Sequence, residues 1–423
     1  MLLDFTIGNY RSINDKCTLS MLAQGIHDEP KDNVVRIGKN KFLKTAAIYG
    51  ANSSGKTNVV LAMGYMKKVI INSVKLNPNE ELENDHFLLT TEKNKPTFAE
   101  ATFQIDNTIY RYGFELTSTS IIGEWLFKRT KTKEDTLFLR TKDGIGVNEK
   151  EFKEGIDRER DTNNNRLFLS LCGQLGGNES KIILNWFENN FNVISGIESS
   201  KYSNFSKLMF HENLEGCDNA KLFLEKLQLG FKELKTIEIE FSPNLLPKDM
   251  PDYMKRHFLS EFQGTKHIDF RSMHQIYDKN GEIAGNILFD TEKMESEGTK
   301  KLIQLSGPIF DTLKRGSILV VDELDAKMHP LLSQYIIELF NSSKTNINNA
   351  QLIFTTHDTH LLSSKLLRRD QIWFTEKGSK EQTDLYNMMD IILPDGTKPR
   401  NDANYERNYI SGRYGAIPYI IND

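Results

Sequence analysis

The stretch GANSSGKT, Gly50 to Thr57, sets two glycines around small polar residues and ends on a lysine and a hydroxyl. This is the pattern of a phosphate-cradling loop: the glycines let the main chain wrap an anion, Lys56 reaches the β and γ phosphates, and Thr57 ligates Mg²⁺. Gly50, Ala51, Asn52, Ser53, Ser54, Gly55, Lys56 and Thr57, with Asn58 just beyond, are therefore expected to hold a phosphate chain. Far downstream, ILVVDE brings Asp322 and Glu323 to the end of an apolar run. Asp322 would hold Mg²⁺ through water, and Glu323 would orient and activate the attacking water. Two neighbouring acids are common on surfaces, but beside a phosphate loop the pair becomes specific. LIFTTHDTH ends another apolar run on His357, suited to donate a hydrogen bond to a γ-phosphate. His357 and His360 also read as a metal pair, yet no Cys or carboxylate cluster of suitable spacing accompanies them.

A fourth stretch, KMESEGTKKLIQL at 293–305, opens a helix on Ser296, Glu297, Gly298 and Thr299. Two hydroxyls and a glycine leave backbone N–H groups uncovered where the helix dipole is positive, so the start suits an anion. An ordinary N-cap is the plainer reading of the same residues.

These residues need strands and helices to position them. TAAIYG before the loop predicts a short buried strand, and Val59, Met63, Met66 and Ile70 after it keep helical spacing. Ala99, Ala101, Phe103 and Ile105 alternate, Asp106–Asn107 turns, and Tyr110, Tyr112, Phe114 and Leu116 alternate again, which predicts an antiparallel hairpin. GSILVVDE and AQLIFTTH are apolar, β-branched runs of the kind found in buried parallel strands. From about Lys150 a polar run leads into helical stretches containing Leu222, Phe223 and Leu227. A strand over KTIEIEF (Ile237, Ile239, Phe241) and a loop marked by Pro243, Pro247 and Pro251 follow. A second hairpin turns at Asn280–Gly281. The expected class is α/β: a P-loop NTPase head with an antiparallel N-terminal sheet, a parallel core sheet and a mainly helical insertion. The expected domains are 1–130, an insertion at 131–265 serving as lid, dimerisation or partner-binding region, and 266–423.

The chain has 423 residues, 38% hydrophobic and 26% charged, the composition of a globular protein able to bury a sizeable core. No run approaches a membrane span, and MLLDFTIGNYRSI carries Asp4 and Arg11 where a leader would be apolar, so a cytoplasmic protein without membrane attachment is expected. Cys17, Cys172 and Cys217 are odd in number and far apart, which fits buried thiols. A net charge of −4 argues against a uniformly basic nucleic-acid binder while leaving room for a local patch. KRTKTK at 128–133 and KLLRR at 365–369 are the candidates, each more commonly a solvated face.

The order of phosphate loop, insertion, serine-led helix, acid pair and histidine resembles the ATP-binding-cassette and SMC-type heads. It more closely resembles the AAA-type ATPases of bacterial abortive-infection and phage-defence systems, the AbiLi, RloA and AriA-like group. IGNYRS, SEGTKKL, VVDELDAKMHP, FTTHDTHLL, RRDQIWFTEK and YISGRYGAIP carry the likeness. The resemblance implies ATP and Mg²⁺ as ligands and a homodimer or higher homo-oligomer in which ATP lies between the loop of one copy and the signature helix of the other. Ser296 and Gly298 would then meet the γ-phosphate in trans, with Glu297 between them among the nucleotide-binding residues, and Arg11 and Ser12 would lie beside the nucleotide. Asp325 and His329 would line the loop that crosses the interface. The signature reads Ser-Glu-Gly-Thr where the transporters have Ser-Gly-Gly-Gln, and both Gln104 and Glu124 qualify as the metal-contacting group between the lobes. The implied function is an ATPase switch that controls a separate effector, a nuclease or toxin, in phage defence. The residues after His357 are too few for a nuclease domain, so that activity is expected on another chain. The rival reading is a DNA-binding repair or recombination clamp.

Overall fold

The computed structural model describes residues 1–92, 94–195, 199–240, 250–255 and 266–418. The strands are β1 (Leu2–Gly8), β2 (Cys17–Ser20), β3 (Val34–Ile37), β4 (Asn40–Leu43), β5 (Thr45–Gly50), β6 (Thr97–Ile105), β7 (Thr108–Leu116), β8 (Ile121–Arg129), β9 (Asp135–Thr141), β10 (Gly144–Val147), β11 (Phe191–Ile194), β12 (Glu233–Glu240), β13 (Lys266–Tyr277), β14 (Ile283–Asp290), β15 (Ile318–Val321), β16 (Gln351–Thr355), β17 (Ile372–Lys377) and β18 (Thr383–Asn387). The α-helices are α1 (Lys56–Asn72), α2 (Phe168–Gln174), α3 (Asn178–Asn190), α4 (Ser199–His211), α5 (Cys217–Lys226), α6 (Thr291–Met294), α7 (Glu297–Arg315), α8 (Pro330–Asn341) and α9 (Tyr405–Ile410). The chain groups into two compact units, 1–197 with 312–423, and 198–311.

The first unit holds two large sheets. One is antiparallel in the order β10-β9-β8-β7-β6-β1-β2; the other runs β11-β15-β16-β5-β17-β18, parallel through β17 with β18 antiparallel at the edge. Every residue of β5, β15 and β16 is buried, as expected of strands covered on both faces. The helix after the phosphate loop buries more than the expected stripe. Val60, Ala62, Tyr65 and Val69 join Val59, Met63, Met66 and Ile70, because one core cluster takes in α1 together with residues of both sheets. Phe103, Trp186, Phe187 and Phe191 stack at the heart of that cluster, with Phe103 and Trp186 ring centroids 4.0 Å apart.

The expected hairpin forms as β6 and β7, turning at Asp106–Asn107 with Asp106 at φ 49°. The boundaries expected at 131 and 265 do not coincide with the compact units. Strands β9 and β10 extend the antiparallel meander through pairs such as Glu124 with Arg140, and β11 pairs in parallel with β15. Residues 131–195 therefore belong with the head, and they contain strands as well as helices.

The second unit contains α4, α5 and the three-stranded sheet β12-β13-β14, with α4 packed against β12 and β13, so it is mixed rather than mainly helical. Phe210 meets Phe270 edge-on at 5.4 Å, and Phe223 lies 5.3 Å from Phe310. The β13–β14 hairpin closes through Gly281 at φ 83°, a conformation open to glycine at little cost. The strand expected over KTIEIEF forms as β12 up to Glu240, while Phe241, Pro243 and Pro247 lie outside the described residues. Among the described residues no helix is long and apolar enough to cross a membrane.

Candidate functional site

The phosphate loop joins β5 to α1 with the backbone its sequence demands. Ser53 at φ 64° and Gly55 at φ 104° are left-handed, and such alternation curls successive amides into an anion-binding concavity at a helix start. A Cβ on Gly50 would come within 2.5 Å of Ser54 Oγ and Thr375 O, and one on Gly55 would collide with the Thr383 side chain. Both glycines are thus required by packing. Lys56 is buried, and its Nζ donates to the carbonyls of Gly50 (2.8 Å) and Ala51 (3.0 Å). Burial pulls its pKa down to about 8, against the opposing fields of Asp322, Glu323 and Asp325. Those two carbonyl contacts stand in for acceptors that phosphate oxygens would replace.

The acid pair follows β15. Asp322 N donates to Ile194 O (2.9 Å), and Asp322 Oδ1 accepts from Thr355 Oγ1 (2.6 Å). Glu323 is exposed at φ 50°, and its N–H donates to the same Thr355 Oγ1 (2.7 Å). His357, two residues past Thr355, donates its backbone N–H to Asp325 Oδ2 (3.3 Å). Burial and then Lys56 push the His357 pKa down, with Asp325, Glu323 and Asp322 opposing, so the imidazole is neutral at neutral pH. Asp325 Oδ1 is buried without a hydrogen-bond partner. One unit therefore gathers Lys56, Asp322, Glu323, Asp325 and His357 into one electrostatic neighbourhood, with Thr57 directly after the lysine.

Ser12 belongs to the same neighbourhood through a hydroxyl chain. Its Oγ accepts from Asn58 Nδ2 (2.6 Å) and donates to Thr383 Oγ1 (2.7 Å), whose own proton goes to the carbonyl of Ser54 (2.9 Å). Ser54 Oγ and Thr375 Oγ1 form a second link (2.7 Å). Arg11 sits at φ 48° and is tied to Asp85 by Nε (3.0 Å) and Nη2 (2.8 Å). Thr355, Thr375 and Thr383 thus hold the residues around the loop and the acid pair; Thr355 lies within LIFTTHDTH and Thr375 within RRDQIWFTEK, and Thr383 lies in neither.

The other candidate residues make contacts of their own. Glu124 is fully buried and accepts from the amides of Phe168 (2.6 Å) and Leu169 (3.0 Å) and from Tyr112 Oη (2.9 Å), so it caps α2. Gln104 donates to Asp106 O (2.7 Å) within the β6–β7 turn. Both candidates for the metal-contacting group thus make contacts within the fold. His360 pairs with Glu406 (3.1 Å) on α9, which uses the second member of the histidine pair. Among the described residues no three His, Cys, Asp or Glu side chains are placed to hold a metal. Mg²⁺ does not need such a cage, since it is commonly held by one or two protein groups and substrate phosphates, which fits Thr57 and Asp322. His329 caps α8, its Nδ1 accepting from Leu331 N (3.3 Å). Of the basic runs, Lys128 pairs with Glu179 (2.7 Å), Arg368 with Asp370 (2.8 Å) and Arg369 with Asp28 (2.7 Å).

Ser296, Glu297 and Gly298 belong to the second unit. Ser296 Oγ accepts from Thr299 N (3.1 Å), the N-cap bond, and Ser296 and Glu297 are exposed. The preceding Glu295 is anchored on β13 by Ser272 and by His274 Nε2 (2.9 Å). Leu302, Ile303, Leu305, Ile309, Phe310 and Leu313 bury the apolar stripe of α7.

The sequence matches, over residues 46–363, the family described as "AAA domain, putative AbiEii toxin, Type IV TA system". No curated protein matches it. Solved structures similar to the chain include an SMC head bound to the C-terminal winged-helix domain of ScpA, at 13% identity over 91% of this chain and 97% of that one, with a TM-score of 0.40. Another is the ATP-bound recombination mediator RecF, at 12% identity over 91% and 99%, with a TM-score of 0.35. The family match spans well over half of the chain, and the chain accordingly belongs to this AAA-domain family.

Proposed function

We propose that this chain is a Mg²⁺-dependent ATP hydrolase that works as a nucleotide-driven dimeric switch, controlling a separate nuclease or toxin in phage defence. The observation that carries the hydrolytic part is the meeting of Lys56 with Asp322, Glu323 and Asp325 in one field, the acid pair held from below by Thr355. Lys56 exchanges the Gly50 and Ala51 carbonyls for β and γ phosphate oxygens. Thr57 and Asp322 would hold Mg²⁺, which neutralises phosphate charge when bound. Glu323 takes a proton from the attacking water, and neutral His357 donates to the γ-phosphate.

The dimeric part rests on the second unit. Exposed Ser296 heads a helix whose first amides suit an anion, and the partner copy's γ-phosphate is the anion the family resemblance implies. Closing two copies over ATP creates two states that hydrolysis or a trigger can bias, and the effector reads the state.

The test is sedimentation of wild type and Glu323→Gln with and without Mg-ATP, together with identification of what copurifies from the native host. ATP-dependent association and a stoichiometric effector chain are expected. Salt-sensitive duplex binding stimulated by ATP, without any copurifying chain, would replace this reading with the repair or recombination clamp.

A further inference from the structure

We propose that Thr355 is a positioning residue for ATP hydrolysis, setting the pose of both acids through one hydroxyl; the inference rests on the ATPase reading above. Thr355 ends β16 and is completely buried. A hydroxyl has one proton and two acceptor sites. Glu323 N–H can only donate, so at 2.7 Å Thr355 Oγ1 must accept from it. Its single proton then goes to Asp322 Oδ1 at 2.6 Å, which fixes Asp322 as the acceptor and leaves Oδ2 for the metal shell. The Thr355 carbonyl accepts from Leu324 N (3.0 Å), so the turn through Asp322, Glu323 and Leu324 is held at three points by one residue.

That turn needs holding. Glu323 stands at φ 50°, a left-handed backbone that a glutamate adopts only where its surroundings over-determine it. Freed from Thr355, the backbone would relax toward ordinary φ and swing the carboxylate off the water it activates. Two residues on, His357 N–H is bonded to Asp325 Oδ2 (3.3 Å), so the strand end that carries the histidine also holds Asp325, two residues past Glu323. Neighbouring Thr356 plays a different part, its Oγ1 accepting from Asp358 N (3.0 Å) in an ordinary turn contact.

The experiment compares Thr355→Val, which keeps the shape and removes the hydroxyl, with Thr355→Ser, which keeps the hydroxyl. Steady-state ATP turnover, equilibrium ATP binding and melting temperature are measured for each. For T355V, kcat is expected to fall on the order of 10- to 100-fold, with KM and ATP affinity within about threefold of wild type. For T355S, kcat is expected to stay within about threefold. T355V turnover equal to wild type, or a parallel loss of ATP affinity and kcat in both variants, would overturn the proposal. If T355V is insoluble, Thr355→Cys with the same readouts takes its place. Absence of ATP turnover in the wild type would instead defeat the ATPase reading, and is seen before any variant is made.

Discussion

The phosphate loop and the signature helix both present backbone amides at a helix start, and they do so in opposite ways. In the first unit the loop is locked by Gly50 and Gly55, which admit no side chain, and by hydroxyl links from Ser12, Thr375 and Thr383. Its lysine is buried and already coordinated. In the second unit Ser296 and Glu297 are exposed, and the start of α7 is held by the Ser296 cap and the Glu295 anchor on β13. One region is assembled before any ligand arrives; the other is offered to solvent. That contrast is what the proposed site, completed by a second copy, would require.

Four measurements bear on the contrast. The largest effect is expected from Lys56→Ala, which should lower kcat/KM by on the order of 10³-fold or more and abolish ATP binding without unfolding the protein. Nucleotide titration by calorimetry and circular dichroism check it. Glu323→Gln should slow turnover on the order of 10²- to 10³-fold while trapping an ATP-bound dimer or higher assembly, read by single-turnover kinetics and sedimentation. Unchanged turnover would assign the base to another residue. Ser296→Arg should abolish ATP-dependent association and cost on the order of 10- to 100-fold in turnover, yet leave ATP binding by single subunits within about threefold. A matching loss of single-subunit affinity would place Ser296 with the loop of its own copy.

The smallest effect concerns pH. Lys56 has its pKa lowered to about 8 by burial, so in the free protein it is charged below that pH and increasingly neutral above it. Phosphate binding favours the charged form. ATP affinity should therefore be flat below about pH 8 and weaken above it, by at most about tenfold per unit. Affinity that does not change between about pH 7 and about pH 9.5 would show that Lys56 does not change its charge on binding in this range, against the lowered pKa.

How far the sequence disclosed this arrangement depended on how local the determinants were. Gly50, Lys56, Thr57, Asp322 and His357 stand in contiguous motifs beside apolar runs, and the strands and helix around them formed as the patterns predict. Thr383 touches the loop directly, but it sits 329 positions from the Ser54 carbonyl it reaches, in a strand with no phosphate-binding pattern. Thr355 left one faint signal, its place two residues before His357. Glu124 looked available because its true partners, the Phe168 and Leu169 amides, are 44 and 45 positions downstream. Strand β11 has four residues, too few to show a period, and its pairing with β15 draws the segment before it into the head. Long-range partners decided each of these cases, and a linear pattern does not encode them.

Mixing two inactive variants decides whether phosphates held by the loop of one copy are met by the signature helix of another. Lys56→Ala lacks the loop lysine but keeps Ser296; Ser296→Arg keeps the lysine but lacks the serine. A dimer with one copy of each would contain one intact composite site, so an equimolar mixture should recover roughly a quarter of wild-type turnover by random pairing in a twofold dimer. Turnover of the mixture no higher than the mean of the two variants alone would mean that no such shared site forms.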